Sequence, residues 1–387
     1  MAEAVGARQV GGVVLFLARC GAGAQPPARL GAQLDAGSSQ WRMLVSTPIT
    51  GGSVAQAIVE PVPGLNESKA KFVVISNVLG GIRDYDCGSW LEPEAHEDVA
   101  MAVMQHGRKS NLPRPLNRDV GRLLRIAWQT ELAARVSDAY DDDMLRRVAA
   151  QTLPVQSYYA VFNAARAMTT AAGTACRTHQ AVHRDFQSQR AKCAYRSWGV
   201  TLAGDPDSLT DCIFEPRITL PYSFNPMELS HDPGQYVCAA LRMTRRWKIA
   251  LQRDDWLRKS RTKDGSQRRR LPAGERAKLV MSLRPTTLMD FLYELRRRSN
   301  YEGVDEYGSD AEDANVERFH RGMLHIADIG LLHYEVMLVQ YVGLEAYEEE
   351  VLAWIRSAAK IGSWATEAVE RRLEAVKLAE QALFASK

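Results

Sequence analysis

The sequence predicts a mainly α-helical protein, an antiparallel helical bundle that carries a large insertion. Three observations indicate this fold class. From residue 117 onward apolar side chains recur at three- and four-residue spacing, which is the period of a helix with one buried face. The connections between the first predicted helices are short, as in antiparallel bundles. The 387 residues are 46% hydrophobic and 25% charged, which is typical of a soluble globular protein with a sizeable core.

The first 116 residues are predicted to lie outside the bundle. Residues 1–40 are rich in Gly, Ala, Gln and Pro and predict a poorly ordered leader. Its apolar stretch, residues 10–18, is too short to span a bilayer and lacks a convincing cleavage pattern after it. Residues 41–116 predict a small mixed or extended region, because short strand-forming runs such as Phe72–Val78 are separated by Gly, Pro and Asn. A short helix is expected at Asp98–Gln105.

The bundle is predicted to span residues 117–343, with the insertion at about 191–285. Five prolines between Trp198 and Pro233 interrupt the helical period, and the strand-like strings CIF and RITL there predict extended structure. The period returns near Tyr236. Residues 344–387 predict two amphipathic helices, which either pack within the chain or dimerise it.

The central helix of the bundle is predicted at Ser157–Gly173. Its two faces are an apolar one and a neighbouring polar stripe. Thr152 stands where a helix cap is expected, Pro154 falls in the first turn, and Gly173 suits the left-handed C-terminal position. Further helices are predicted from Asn117, which is a suitable N-cap, and at Asp141–Ala150, Thr178–Gln189, Leu288–Leu295 and Asp313–Gly343.

Two separated strings resemble the HEPN superfamily of prokaryotic helical-bundle domains. The first is YYAVFNAARAM followed by Arg177-Thr178-His179-Gln180-Ala181-Val182 and Phe186. The second is LRRRSNYEG at Leu295–Gly303, which is similar to the arginine-rich turn before the last long helix of that fold. Asn163 stands where many relatives carry a histidine. The resemblance implies a metal-independent ribonuclease of toxin or phage-defence type, in which two protomers build a joint site.

Candidate catalytic residues lie on the predicted helix Asp313–Gly343. Arg318 and His325 are seven residues apart and therefore share a stripe, with Asp328 on the same side. In this hypothesis His325 takes the proton of a ribose 2′-hydroxyl, Arg318 stabilises the phosphoryl charge, and Asp328 orients the imidazole. The spacing also fits the Arg-His pattern of HEPN ribonucleases. The alternative interpretation is a salt-bridged helix face with a packed histidine.

A basic cluster in the insertion predicts contact with RNA or single-stranded nucleic acid. Between Arg242 and Lys278 fourteen basic residues stand against four acidic ones, in a chain with a net charge of only +3. Two tryptophans among them offer faces on which bases can stack. The alternative is intramolecular pairing with the acidic run Glu302–Glu317. The predicted binding residues are Arg245, Arg246, Trp247, Lys248, Trp256, Arg258, Lys259, Arg268, Arg269 and Arg270.

A third group, His179, His183 and Asp185, follows the central helix. The two histidines are four residues apart, but no zinc-binding sequence pattern accompanies them, so a capping network around Thr178 is the preferred interpretation and no metal is expected. The six cysteines are scattered without metal or disulfide spacing, which suits a reducing cytosol. No cofactor is expected, because no phosphate-binding loop or dinucleotide fingerprint occurs.

These observations favour a cytoplasmic, dimeric, RNA-binding protein with endoribonuclease activity, and with an antitoxin or neighbour protein as a further partner. The alternative function is a non-catalytic helical dimerisation module that binds nucleic acid, nucleotide or a partner protein. No membrane association is expected.

Overall fold

A computed structural model describes residues 67–87, 92–106, 115–140, 142–208, 210–218, 220, 224–229, 231–262, 265–301 and 311–385. Over these residues the protein is mainly helical, as predicted, with one two-stranded sheet. The predicted leader, residues 1–40, lies outside the described residues. The helices are α1 (Glu67–Cys87), α2 (Glu92–His106), α3 (Arg118–Ala139), α4 (Asp143–Ala150), α5 (Leu153–Ala171), α6 (His179–Asp185), α7 (Arg196–Gly199), α8 (Pro233–Lys259), α9 (Ala273–Ser282), α10 (Leu288–Tyr301), α11 (Asp313–Val342), α12 (Leu344–Ala358) and α13 (Glu367–Ala385).

Helix α11 is the centre of the fold. It packs against α1, α2, α4 and α5, and most of its residues are buried on every side. Its length and composition would allow it to cross a membrane, but its apolar stretch is wholly buried within the molecule, as expected for a core helix. At Gly322 a Cβ atom would lie 2.6 Å from Cβ of Leu79, so the glycine permits the close crossing of α1 and α11.

Helix α5 is the predicted central helix, and it packs against α3, α10 and α11. Gly173 takes the left-handed conformation expected of it, with φ at 85°. Asn117 caps α3 as predicted, since its side chain accepts a hydrogen bond from the Val120 amide. The prediction for Thr152 is wrong: its hydroxyl makes no cap hydrogen bond and instead donates to the Ala149 carbonyl.

The extended structure predicted at Phe72–Val78 is wrong, because these residues lie within helix α1. The run is rich in Val and Ile, which favour strands, but it is buried between α8 and α11, and burial of a helix on several sides produces the same continuous apolar string. The helix predicted at Asp98–Gln105 is confirmed as part of α2. The runs predicted as strand-like at residues 43–45 and 55–59 lie outside the described residues.

The insertion contains both extended and helical structure. Strands β1 (Thr201–Ala203) and β2 (Ile213–Glu215) pair antiparallel, so the CIF segment is largely a strand. The RITL segment forms no strand over its described residues, 217, 218 and 220. Helix α8 then runs to Lys259, and a bridge between Arg261 and Gln267 closes a short turn behind it.

The C-terminal helices pack within the chain. The predicted apolar face of α13 is buried against α2 and α12 at Val369, Leu373 and Val376. Beside this face lies Arg372, which is fully buried and donates to three carboxylates, Glu131, Asp328 and Glu335. We call these groups, with Arg135 and His96, the Arg372 network. The network joins α2, α3, α11 and α13.

Candidate functional site

The structure separates the predicted catalytic residues. The guanidinium of Arg318 donates to the side-chain oxygens of Asn77 and Asn315, each at 3.0 Å. His325 is buried, with 7% of its surface exposed, and its Nε2 lies 3.0 Å from Oδ2 of Asp86. Arg318 and His325 therefore have separate partners inside the chain, and His325 is buried while Arg318 is partly exposed.

The role assigned to Asp328 is wrong. Its carboxylate does not orient His325 but lies 2.6 Å from Nε2 of His96 and bonds to Arg372. Burial alone would raise the pKa of Asp328, but the charges of His96 and Arg372 hold that pKa well below its usual range. Asp328 is a member of the Arg372 network, which stabilises the fold.

A different polar cluster connects α5, α6 and α10. The hydroxyl of Tyr158 lies 2.8 Å from Nδ1 of His179 and 3.1 Å from Nε2 of His183. On its other side, Nδ1 of His183 lies 3.0 Å from Oδ1 of Asp290. Oδ2 of Asp290 lies 3.2 Å from the ammonium of Lys248 on α8. We call these five residues the His179 cluster.

Hydrogen-bond chemistry assigns the protons in this cluster. Burial raises the pKa of Asp290, but Lys248 and His183 outweigh burial and hold it far below its usual range, so the carboxylate is ionised. An ionised carboxylate only accepts, so Nδ1 of His183 donates to it, and in the neutral tautomer that this bond selects Nε2 accepts from the Tyr158 hydroxyl. The Tyr158 oxygen then accepts from Nδ1 of His179. The lone pair of His179 therefore lies on Nε2.

His179 is the half-buried end of this chain of bonds. Its pKa is lowered, first by burial and then by the charges of the nearby Arg296 and Arg166, so the imidazole is neutral at pH 7. Over the described part of the chain, Nε2 of His179 has no hydrogen-bond partner. The cluster thus presents a neutral imidazole with its basic nitrogen unoccupied, next to two arginines.

Aromatic rings surround the imidazole. His179 stacks on Phe162 at a centroid distance of 4.4 Å and approaches Tyr159 and Tyr293 within 6 Å. Arg296 donates to the Tyr159 hydroxyl at 2.7 Å and lies over the rings of Tyr159 and Tyr293. This wall combines faces for stacking with a guanidinium for a phosphate.

The predicted binding residues at the start of α8 have partners within the chain. The prediction that Arg245 binds nucleic acid is wrong. Its side chain is buried and donates to the carbonyls of Gly204, Val280 and Arg284, so it cannot contact a nucleic acid. Arg246 lies 2.6 Å from Asp207. Lys248 belongs to the His179 cluster. Trp247 contacts Tyr293 and receives Arg297 over its ring.

The predicted binding residues at the end of α8 are exposed. Arg258 and Lys259 both pair with Asp255 on the surface. Arg268 lies over the ring of Trp256, and Arg269 and Arg270 are exposed beside it. Of the acidic run offered as an alternative partner, residues 302–310 lie outside the described part; the pairs seen here are with other acids. We call this surface, Trp256–Lys259 and Arg268–Arg270, the basic tip.

Helix α8 carries part of the basic tip, Trp256–Lys259, and one member of the His179 cluster, Lys248. Lys248 and Lys259 are eleven residues apart, which at 1.5 Å per residue is roughly 16 Å along α8. Trp247 and Trp256 stand at the two ends of this interval.

A metal is not required by this geometry. His179 and His183 both turn a ring nitrogen to the Tyr158 hydroxyl, and Asp185, the third residue of that predicted group, pairs with Arg190 at 3.2 Å. Within the described ranges no group of three metal-ligating side chains forms. Thr178 caps α6 through the Ala181 amide, as predicted.

Comparison with protein-family models, curated proteins and solved structures returns no match. Chemical inference therefore rests on the residues themselves. Sequence reasoning missed Tyr158, Asp290 and Arg296 as members of the site. Tyr158, His179 and Arg296 all lie inside the two strings that carry the HEPN resemblance. Their presence in those strings is the sequence feature that could have indicated a shared site.

Proposed function

We propose that this chain is a HEPN-like RNA-binding protein that cleaves RNA without a metal at the His179 cluster. The observation that supports it best is the ordered chain of hydrogen bonds from Asp290 to His179, which leaves a lone pair on a half-buried imidazole beside two arginines. The basic tip holds the strand, and the cluster carries the chemistry.

The reaction follows from the assigned protons. Nε2 of His179 takes the proton of a ribose 2′-hydroxyl, and the 2′-oxygen attacks the adjacent phosphorus. The P–O bond to the 5′-oxygen breaks, that oxygen receives a proton from solvent, and the products are a 2′,3′-cyclic phosphate and a 5′-hydroxyl. Arg296 and Arg166 stabilise the negative charge on the phosphoryl oxygens.

The buried part of the cluster has a positioning role. When His179 becomes an imidazolium, Tyr158 continues to accept from its Nδ1, and His183 and Asp290 hold the Tyr158 hydroxyl in orientation. Asp290 remains ionised throughout, as the buried carboxylate of such a chain does. The tautomer of His179 that acts as a base is thus maintained from one turnover to the next.

The resemblance also implies biological context. We infer a cytoplasmic toxin or phage-defence protein that forms a homodimer and is restrained by an antitoxin or a neighbour protein. These expectations are separate from the chemistry. Sedimentation of the purified chain tests whether it forms a homodimer.

The test is cleavage of a labelled single-stranded RNA by the full chain in excess EDTA. We expect cleavage with a 2′,3′-cyclic phosphate at the new end, and no cleavage of the same strand with 2′-O-methyl sugars. His179→Ala should lower the rate by roughly 10²-fold or more while RNA affinity is retained. Arg184→Ala, an exposed neighbour on α6, is the matched control and should cleave normally.

Two results would contradict the proposal. Cleavage that survives His179→Ala removes the site assignment. Binding of RNA by the wild-type chain without cleavage favours the alternative, a non-catalytic module, for which the exposed basic tip alone is sufficient.

A further inference from the structure

The structure also contains a concave site whose lining includes no residue of the His179 cluster. A cavity of about 640 Å³ opens between the end of α1, the segment before α7, and the two strands. This volume is within the range of small-molecule sites, roughly 300–1,000 Å³. Its chemically distinctive lining residues are Tyr85, Lys192, Tyr195, Arg196, Thr201 and Glu215. None of them belongs to the His179 cluster.

Arg196 is held in a backbone conformation that arginine rarely adopts. Its φ is +51°, and such a conformation persists only when the surroundings enforce it. The next residue provides the anchor, because Asp86 accepts from the Ser197 amide at 2.8 Å and from its hydroxyl at 2.6 Å. Trp198 then packs, fully buried, against Gly330 of α11. The backbone is therefore anchored on the C-terminal side of Arg196, and the strained residue itself lies in the cavity wall.

The guanidinium of Arg196 is only partly satisfied. Its Nε is buried and has no hydrogen-bond partner over the described residues, while NH2 lies 3.4 Å from Asp98. The group lies over the ring of Tyr195, with its central carbon 5.3 Å from the ring centroid. A buried N–H without a partner is costly, about 1–3 kcal/mol for a typical group, so the side chain is held in place by its surroundings and its other nitrogens have few competing partners.

We propose that this cavity binds a nucleoside phosphate. Arg196 and Lys192 hold the phosphate. Lys192 is exposed and has no ion pair in the described part of the chain. The rings of Tyr85 and Tyr195 contact the base, as aromatic side chains do in nucleotide sites. Glu215 and Thr201 on the two strands supply acceptors for ribose hydroxyls. A simple anion would fill only a fraction of this volume and would leave both tyrosines unused.

The experiment is calorimetric titration of the full chain with each of the four nucleoside 5′-monophosphates, with inorganic phosphate and with the matching unphosphorylated nucleoside. We expect at least one nucleotide to bind at least tenfold more tightly than phosphate or nucleoside. Arg196→Asn should weaken that nucleotide at least tenfold, since asparagine tolerates the left-handed backbone and only the cation is removed. Lys192→Gln should weaken it severalfold.

The control is Arg284→Asn, which neutralises an exposed loop arginine that does not line the cavity and should leave binding unchanged. Melting temperatures of all variants check that the fold is retained. The proposal is overturned if no nucleotide binds at millimolar concentration, if Arg196→Asn binds as tightly as wild type, or if phosphate alone binds equally well. None of these readouts involves RNA cleavage, so this inference and the proposed function fail separately.

Discussion

Two buried polar clusters in this protein differ in how they end. In the Arg372 network every nitrogen of the guanidinium donates to a carboxylate, and all three carboxylates are buried. The His179 cluster is an equally ordered chain of bonds, but it ends in a half-buried imidazole with an unoccupied nitrogen. A closed network can only stabilise, whereas an open one has a group left to act on a ligand. The predicted Asp328 belongs to the closed one.

The closed network should give the largest effect on stability. Arg372→Met removes the only cation that contacts Glu335 among the described residues and one of the cations that pair with Glu131 and Asp328, so we expect a loss of about 3–5 kcal/mol in the free energy of unfolding. Chemical denaturation measures it. Arg371→Met, at the neighbouring and partly exposed position, is the matched control and should cost less than about 1 kcal/mol. Equal losses would show that the network is not special.

A buried histidine with no hydrogen-bond partner among the described residues should make stability depend on pH. His333 is buried among aromatic rings, and burial followed by the charge of Arg190 lowers its pKa to about 3. Above pH 6.5 the imidazole of His333 is neutral in both the folded and the unfolded chain. Below pH 6.5 only the unfolded chain takes up the proton, so stability falls by about 1.4 kcal/mol per pH unit from this group.

His320, with a pKa lowered to about 4 by burial, adds to this slope in the same direction. Denaturation between pH 7 and 5 measures the slope, since carboxylates contribute little in that window. His333→Leu should reduce it by about one proton. An unchanged slope would mean that His333 is protonated in the native state.

The open cluster is tested more finely by its bridging hydroxyl. Tyr158→Phe keeps the ring but breaks the link between His179 and His183, so we expect roughly tenfold slower RNA cleavage, about 1.4 kcal/mol in the barrier, and an altered pH-rate profile. Tyr334→Phe is the matched control, because the hydroxyl of that buried tyrosine has no partner in the described ranges. A normal profile in Tyr158→Phe would exclude the positioning role.

The smallest effect is expected at the basic tip. Neutralising Arg268, Arg269 and Arg270 to Gln should weaken RNA binding severalfold at moderate salt. If all three contact phosphates, the slope of log affinity against log salt should become shallower by roughly 2. Neutralising Arg118, Arg122 and Arg356, which are remote in the sequence, is the control for net charge. Identical salt slopes in both triple variants would place the RNA elsewhere.

Sequence periodicity predicted most of the helices, because their buried faces repeat over many turns. It failed at Phe72–Val78, where a seven-residue run with five apolar side chains is compatible with a strand or a buried helix, and only the neighbours α8 and α11 decide. Spacing along one helix placed Arg318 and His325 on a stripe, but it could not show that α1 covers that stripe with Asn77 and Asp86.

The candidate site was beyond prediction for a related reason. The bonds of the His179 cluster join residues more than a hundred positions apart, such as His183 and Asp290, and local patterns carry no information on such pairs. Arg245 shows the same limit, since its charge suggested a surface and its partners are carbonyls of a loop and a helix folded over it.

His325 takes part in a contact between α11 and the cavity wall. Asp86 accepts from His325 on α11 and, at the same time, from both polar groups of Ser197 beside the strained Arg196. Asp86 thereby connects the wall of the cavity to α11 through one carboxylate. The carboxylate of Asp86 is therefore the direct link between the cavity wall and the helix around which the fold is assembled.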